Sequence, residues 1–219
     1  MTNNFHSCFI SYRHPASKGS REEKLIAHVV KAITDHVEMY THDHRVYFDE
    51  KRLVPGYQYD EKLAEALCRS ACMVIVYWPA YLESDYCRKE IAAMLDIEEK
   101  RHKLLGTELY GCRLFIPIIL RGNFDELPDG VRKNCHYLDY KAQATKPDFN
   151  IGDDEKMSNE LFRVAEYIKG LCDKMKNAGQ TVFGNCRQYD FPAPVVSQAK
   201  QEIRPAPPQP FPGRRCLPH

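Results

Sequence analysis

The chain has almost no net charge and no long apolar segment, and these two absences exclude several classes of protein. Its 31 Lys and Arg residues nearly balance 30 Asp and Glu residues, so an electrostatic nucleic-acid surface is not expected. The longest apolar run, Ala71 to Trp78, is far shorter than the ~20 residues that a membrane span needs. Residues 1–6 are polar and lack the apolar core of a signal peptide. We therefore expect a soluble, cytoplasmic protein with no nucleic-acid or membrane partner.

Cysteine pairs at the spacing of a metal site are also missing. Nine cysteines are present, an odd number, and no Cys-x-x-Cys occurs. Several lie in apolar stretches, as Cys8 and Cys72 do, which predicts reduced and buried thiols. The nearest candidate for a zinc site is His42-Asp43-His44, and a solvated loop before a strand explains that segment better. We therefore predict no metal ion and no cofactor.

Apolar patterns typical of strands and of helices alternate along the chain. Helical spacing predicts helices over 21–39, over about 59–69 and after Ser84, which can cap a helix. The clearest amphipathic helix lies around 161–175. Short runs rich in β-branched and aromatic residues predict five strands, near residues 8–10, 45–49, 71–77, 114–120 and 136–140.

This alternation predicts an α/β fold, a flavodoxin-like open five-stranded parallel sheet with helices on both faces. The run at 71–77 is almost continuously apolar, as expected for a parallel strand that is covered on both sides. Pro117 cannot donate a ladder hydrogen bond, so we expect it near an edge or a bulge. Such sheets bind ligands at the carboxyl ends of their strands, which places the functional loops after residues 10, 49, 77 and 120.

The C-terminal part differs in composition from the rest. Eight of the 14 prolines lie at or beyond Pro192, and residues 203–219 have almost no apolar periodicity. We therefore predict one domain over residues 1–180, followed by a Pro-rich, disordered tail over 187–219. The tail is a linker or, alternatively, a docking peptide.

Three polar stretches follow predicted strands in order. The first is Phe9-Ile10-Ser11-Tyr12-Arg13. The second is Tyr47-Phe48-Asp49, with Arg52-Leu53-Val54-Pro55-Gly56 after it. The third runs from Tyr81 to Glu90 and opens the helix after the third strand.

The first and third stretches carry side chains that suit a phosphorylated, base-bearing ligand. Ser11, Tyr12 and Arg13 offer a hydroxyl, an aromatic face and a guanidinium, although Arg13 has the alternative of a structural salt bridge. Tyr86 and Glu90 are four residues apart at a helix start and share one face. A carboxylate there can stabilise positive charge on an anomeric carbon. The alternative for Glu90 is a first-turn acid that complements the helix dipole.

Taken together, the order and spacing of these stretches resemble the Toll/interleukin-1 receptor (TIR) family over about residues 5–175. The chain looks like the bacterial NAD-consuming TIR proteins of antiviral defence. The resemblance implies that Glu90, in the segment Cys87-x-x-Glu90, is catalytic for cleavage of the nicotinamide–ribose bond of NAD+. The products would be nicotinamide and ADP-ribose, or a cyclic or conjugated ADP-ribose. Because nicotinamide leaves as a neutral group, one carboxylate suffices without a general acid.

The resemblance also implies roles for other residues. NAD+ would be a substrate and not a cofactor, and it would be bound by Ser11, Tyr12, Arg13, Asp49, Arg52, Trp78 and Tyr86. The loop with Leu53, Pro55 and Gly56 would mediate self-association through TIR–TIR contacts, and a separate sensor or effector protein is a further expected partner. Trp78 stands where the family usually has serine, and Tyr86 where it usually has tryptophan. These departures leave the shape of the pocket and the fate of the product open.

Two other functions remain as alternatives, and one is rejected. The main alternative is a non-catalytic TIR scaffold that signals by homotypic assembly, although such modules often lack the glutamate found here at position 90. A nucleoside deoxyribosyltransferase-like enzyme also uses a glutamate on a related sheet, but it leaves residues 52–56 unexplained. A phosphoacceptor receiver domain needs paired acids after the first strand, where this chain has Ser11-Tyr12-Arg13.

Overall fold

A parallel sheet of five strands forms the centre of the molecule. The computed structural model describes residues 5–41, 45–48, 57–146, 149, 151, 154–179 and 182–192. The strand order is β2-β1-β3-β4-β5, which is the flavodoxin-like order, so the predicted fold class is confirmed. The strands are β1 Phe9–Tyr12, β2 Tyr47–Phe48, β3 Met73–Tyr77, β4 Phe115–Ile119 and β5 Leu138–Asp139.

Helices cover the sheet in two pairs. Helix α1 packs against α6, and α2 packs against α3. Right-handed crossovers between parallel strands place these pairs on opposite faces, which explains why every residue of β3 is buried. The helices are α1 Arg21–Tyr40, α2 Tyr57–Cys68, α3 Asp85–Leu105, α4 Asp129–Arg132, α5 Lys141–Ala144 and α6 Glu155–Ala178.

The strands are shorter than the apolar runs that predicted them, most of all at the sheet edges. Strands β2 and β5 are the outermost, and each has only two residues. Pro117 lies in β4, next to the edge strand, and pairs in register with Ile75 of β3. Pairing with β5 begins one residue later, at Ile118. The missing N–H of Pro117 therefore falls beside the short edge strand, close to where it was expected.

Serine capping sets the start of α3 directly behind β3. A 3₁₀ turn over Pro79–Glu83 connects the two elements. The Ser84 side chain then accepts a hydrogen bond from the backbone N–H of Cys87 at 3.4 Å, which confirms the predicted cap. The first turn of α3 is thereby held at the carboxyl edge of the sheet.

A C-terminal strap, residues 182–192, packs back onto the domain. The Phe183 ring stacks on Phe5 at a centroid distance of 4.7 Å, and the Arg101 guanidinium lies 5.0 Å from the same ring. Arg101 is buried, and its guanidinium donates to the carbonyls of Cys68 and Ser70 at 2.6 and 2.7 Å. The strap therefore covers the point where α3 is tied to the end of α2.

Further along, the strap follows α3 towards its N-terminus. The Tyr189 hydroxyl donates to Asp96 Oδ2 at 2.9 Å and lies 3.1 Å from the carbonyl of Ala93. The Phe191 ring centroid is 5.8 Å from Nζ of Lys89. Residues 187–192 of the predicted tail thus contact α3, while residues 193–219 lie outside the described residues.

A disulfide bond between Cys68 and Cys186 fastens the strap. Their Cα atoms are 5.3 Å apart although the residues are separated by 118 positions. The expectation of reduced thiols is wrong for these two cysteines, because α2 and the strap meet only in the folded chain. The other cysteines of the described part are not disulfide-bonded and are Cys8, Cys72, Cys87, Cys112, Cys135 and Cys172.

Burial makes most of these thiols poor nucleophiles. Cys8 and Cys72 are buried, as predicted, and burial raises the pKa of Cys172 to about 12. A thiol with a raised pKa holds little thiolate at neutral pH, and only the thiolate is nucleophilic. These cysteines therefore act as small apolar residues of the core.

Removal of residues 193–219 is expected to leave the domain folded, because these residues lack the apolar pattern of a core-forming segment. A chain that ends at Pro192 should keep its melting temperature within about 2 °C and should keep any activity of the full chain. A chain that ends at Ala178 is the matched comparison, since it also loses the disulfide and the Tyr189 contacts. A large loss of stability in the longer truncation product would place the domain boundary beyond residue 192.

Candidate functional site

The site lies where the strand order changes direction. The chain goes from β1 outward to β2 and then returns to β3 on the other side of β1. Ser11 is near the end of β1 and pairs in register with Ile75 of β3. Glu90 lies in the second turn of α3, which begins after β3. Open α/β sheets bind ligands in the crevice at such a point.

Three side chains from three elements meet in this crevice. The Ser11 hydroxyl donates to Oε2 of Glu90, 79 positions away. The Tyr81 hydroxyl, from the 3₁₀ turn, lies 2.5 Å from the same Ser11 oxygen. Glu90 is 7% exposed, while Ser11 and Tyr81 are 1% and 0% exposed. The result is a buried carboxylate near the carboxyl edge of the sheet that is held by a pair of buried hydroxyl groups.

A second buried glutamate on α3 provides a contrast. Glu98 is also 7% exposed, but it pairs with the Arg113 guanidinium at 2.9 Å and accepts from the backbone N–H of Leu114 at 2.6 Å. A cation and a backbone donor offset the cost of burying this carboxylate, so Glu98 is a structural residue. Glu90 is held by the hydroxyl of Ser11 at the carboxyl edge of the sheet, where ligands bind.

Comparison with known protein families identifies the domain. The family described as "TIR domain" matches residues 8–151, which contain β1 to β5 and the whole Ser11–Tyr81–Glu90 cluster. This chain belongs to the TIR domain family. The TIR match covers well over half of the chain, and the resemblance read from the sequence is thereby confirmed.

Solved structures and curated proteins give two further comparisons. Among solved structures, the chain is similar to the TIR domains in "Structure of the activated Roq1 resistosome directly recognizing the pathogen effector XopQ". The identity is 20%, the match covers 84% of this chain and 96% of that chain, and the TM-score is 0.35. No curated protein matches the chain.

Ser11 and Tyr12 of the TIR domain face opposite sides of the sheet, as consecutive residues of a strand do. The Tyr12 ring lies 4.9 Å from that of His14. It lines a cleft of about 530 Å³ between the carboxyl ends of β1 and β2 and helix α1, with Phe48 and Lys31 among the other lining residues. The structure therefore places Tyr12 in a cleft beside α1, on the face of the sheet opposite to the Ser11 side chain.

In the structure Arg13 forms a structural salt bridge, which was the alternative to its role as a substrate ligand. Its guanidinium lies 2.6 Å from a carboxylate oxygen of Glu83 and donates to the carbonyl of Ala80 at 2.7 Å. Arg13 thereby ties the end of β1 to the 3₁₀ turn that carries Tyr81. Its role as a substrate ligand stays a prediction.

Trp78 and Tyr86 both lie near cations. The Arg121 guanidinium, from just after β4, is 4.7 Å from the Trp78 ring, and Nζ of Lys89 is 5.2 Å from the Tyr86 ring. Cations over aromatic faces are attracted by the ring quadrupole, so both aromatic side chains are held at the carboxyl edge of the sheet. Arg121 was not singled out in the sequence, since it follows β4 without any motif.

Several predicted residues lie outside the described residues. Two of these are substrate-binding candidates, Asp49 and Arg52. Three belong to the assembly loop, Leu53, Pro55 and Gly56. The weak zinc candidate at 42–44 lies outside them as well.

Two features common in other proteins are absent from the described part of the chain. No three His, Cys, Asp or Glu side chains come together there as a metal site requires. No helix there is long and apolar enough to cross a membrane.

Tyr81 is the site residue that the sequence analysis did not assign. It opened the third stretch, but nothing in its spacing distinguished it from neighbouring apolar positions. Its role follows from a contact across 70 positions with Ser11, which no local pattern reveals. The only sequence signal was a tyrosine placed between a buried strand and a capped helix, where the buried hydroxyl needs a partner.

Proposed function

We propose that this TIR domain hydrolyses or rearranges NAD+ by breaking its nicotinamide–ribose bond, with Glu90 as the catalytic carboxylate. The observation that carries the proposal is the contact between Ser11 and Glu90 at the point where the strand order changes direction. That point is where open α/β sheets bind ligands. Cleavage of the nicotinamide–ribose bond is what the resemblance to NAD-consuming TIR proteins implies. The contact with Ser11 gives the Glu90 carboxylate a defined position for that reaction.

The proposed step is a dissociative cleavage. The C–N bond to the ribose breaks, its electron pair leaves with nicotinamide as a neutral group, and the ribose carbon becomes cationic. The Glu90 carboxylate stabilises this charge more in the transition state than in the ground state. Water then attacks the carbon and releases a proton, which gives ADP-ribose. Attack by an adenine nitrogen or by another acceptor gives a cyclic or conjugated product.

The cleft next to the crevice suits the remainder of the dinucleotide. Its volume of about 530 Å³ lies in the range of small-molecule sites. It offers the aromatic rings of Tyr12 and Phe48 for stacking, while its Lys31 ammonium is paired with Asp35 at 2.5 Å. Since Tyr12 is the last residue of β1, an extended ligand that passes over the carboxyl edge of the sheet can reach both the crevice and the cleft.

The direct test is incubation of purified protein with NAD+, with chromatography of the products at low and at high protein concentration. Release of nicotinamide together with ADP-ribose or a cyclic product supports the proposal. Absence of turnover at every concentration favours the alternative of a non-catalytic TIR scaffold. Turnover of free nucleosides but not of NAD+ favours a deoxyribosyltransferase-like activity.

Self-association is part of the same proposal. The resemblance to the TIR family implies that the loop with Leu53, Pro55 and Gly56 packs on a neighbouring copy and completes the cleft. The proposed biological setting, antiviral defence together with a sensor or effector protein, has the same origin.

We expect replacement of Gly56 by leucine to lower NAD+ cleavage and higher-order species together, because a side chain at this position obstructs loop packing. Size-exclusion chromatography with light scattering and nicotinamide release measure the two effects. Gly170→Leu is the matched control, since a Cβ there meets nothing within 4 Å and the residue lies on helix α6 and not in the assembly loop. Full activity in a strictly monomeric Gly56→Leu sample would contradict the role of the loop.

A further inference from the structure

The hydrogen-bond donors in the Ser11–Tyr81–Glu90 cluster can be assigned by counting protons. An ionised carboxylate only accepts hydrogen bonds, and a serine hydroxyl has one proton to donate. Ser11 gives that proton to Oε2 of Glu90. The 2.5 Å contact between the Ser11 and Tyr81 oxygens therefore needs the tyrosine proton, so Tyr81 donates to Ser11.

Tyr81 is held rigidly in this donating position. Its side chain is fully buried, its ring lies 6.1 Å from that of Tyr77, and its backbone N–H donates to the carbonyl of Trp78 at 2.7 Å. Burial raises the pKa of Tyr81 well above its usual value, so the hydroxyl keeps its proton at physiological pH. Tyr81 can therefore act as a hydrogen-bond donor at physiological pH.

The acceptor end is equally fixed by the fold. Ser11 belongs to β1, which is paired with β3 along its whole length. Glu90 belongs to α3, whose start is held by the Ser84 cap. A chain of hydrogen bonds, from the Tyr81 hydroxyl to the Ser11 hydroxyl to the Glu90 carboxylate, therefore joins three separately anchored elements.

We propose that Tyr81 is a positioning residue for the reaction, which acts on the Glu90 carboxylate only through the Ser11 hydroxyl. By donating to Ser11, Tyr81 directs the single serine proton towards Glu90 and holds one carboxylate oxygen in place. A donor chain of this kind pre-organises the carboxylate for charge that develops in the transition state. For its kinetic readout the inference rests on the proposed cleavage of NAD+.

The experiment is a double-mutant cycle with Tyr81→Phe and Ser11→Ala. Tyr81→Phe should lower kcat about tenfold and leave KM unchanged, because it removes one hydrogen bond that matters in the transition state. Ser11→Ala should lower kcat by roughly 10–100-fold, since it removes a hydrogen bond to a charged group. The double variant should match Ser11→Ala within about twofold, because the hydrogen bond of Tyr81 reaches Glu90 through the Ser11 hydroxyl.

Tyr77→Phe is the matched control. Tyr77 is also a buried tyrosine of this region, but its hydroxyl donates to Glu126 at 2.6 Å and not to Ser11. It should leave kcat unchanged within about twofold. Independent, multiplicative losses from Tyr81→Phe and Ser11→Ala, or an equal loss from Tyr77→Phe, would overturn the proposal in favour of general packing.

A spectroscopic readout separates this inference from the proposed function. The ¹³C resonance of the Glu90 side-chain carboxyl should move in Ser11→Ala and in Tyr81→Phe, and Tyr81→Phe should not move it further in a Ser11→Ala background. Wild-type protein that leaves NAD+ intact would overturn the proposed function without deciding the hydrogen-bond chain. If Tyr81→Phe did not move the Glu90 resonance while Ser11 is present, the proposed hydrogen-bond chain would be wrong, even in an active enzyme.

Discussion

Glu90→Gln is expected to reduce nicotinamide release from NAD+ by about 10²–10³-fold, or roughly 3–4 kcal/mol of transition-state stabilisation. The magnitude is that of removing one pre-positioned electrostatic group from an active site. The glutamine keeps the size of the side chain, and its carbonyl oxygen can still accept the hydrogen bond from Ser11. Folding should therefore be preserved while the negative charge is lost, and chromatography of released nicotinamide measures the effect.

Glu99→Gln is the matched control for this substitution. Glu99 lies on the same helix, but it is exposed and pairs with Lys103 at 2.5 Å in a surface i,i+4 contact. Such pairs contribute little, so both activity and melting temperature should stay close to wild type. If Glu90→Gln retained wild-type turnover, Glu90 would have only a structural role in α3, since the first-turn acid of that helix is Asp85, and the scaffold function would become the better proposal.

Loss of the disulfide between Cys68 and Cys186 is expected to lower the free energy of unfolding by about 3–5 kcal/mol. The bond closes a loop across a separation of 118 positions, and cross-links over long loops restrict the unfolded chain most. For a domain of this size the loss corresponds to a fall in melting temperature of roughly 10 °C. Thermal unfolding of the wild type with and without dithiothreitol measures it.

The double variant Cys68→Ser with Cys186→Ser should melt at the temperature of the reduced wild type and should not respond to dithiothreitol. Cys112→Ser is the control, because Cys112 is a free, half-buried thiol outside the strap. It should still respond to the reductant as the wild type does. A wild-type melting temperature that is the same in both conditions would show that the strap is held by its side-chain contacts alone.

The helices and strands could be predicted from the sequence because their apolar residues recur at the short, regular spacing of each element. Buried residues of α1 recur at helical spacing from Leu25 to Val37, and the apolar run before Trp78 became the central strand β3. The first and last residues of each element were harder to predict from the sequence. Val46, for instance, is apolar and buried but lies outside the two-residue strand β2, since pairing with β1 and not side-chain type decides where an edge strand begins.

The site was accessible only in part. The motif identified Glu90 and Ser11 separately, and the alternation of strands and helices placed both at the carboxyl edge of the sheet. The sequence did not identify Tyr81 as a site residue, because its role depends on a hydroxyl contact with Ser11, 70 positions away. Arg13 illustrates the reverse case, since its chemistry suits a phosphate ligand while its neighbours in the fold, Glu83 and Ala80, already engage it.

By itself, the sequence determined the family, the order of strands and helices and the catalytic candidate, because these depend on residue types at short, regular spacing. Tertiary structure alone decided which distant groups meet. It joined Ser11 to Glu90 across 79 positions, and it joined Cys68 to Cys186 across 118. Composition had indicated reduced thiols throughout. The physical reason is that hydrogen bonds and disulfides act over a few ångströms in space, and only the packing of α2, α3 and the strap on the sheet brings these atoms that close.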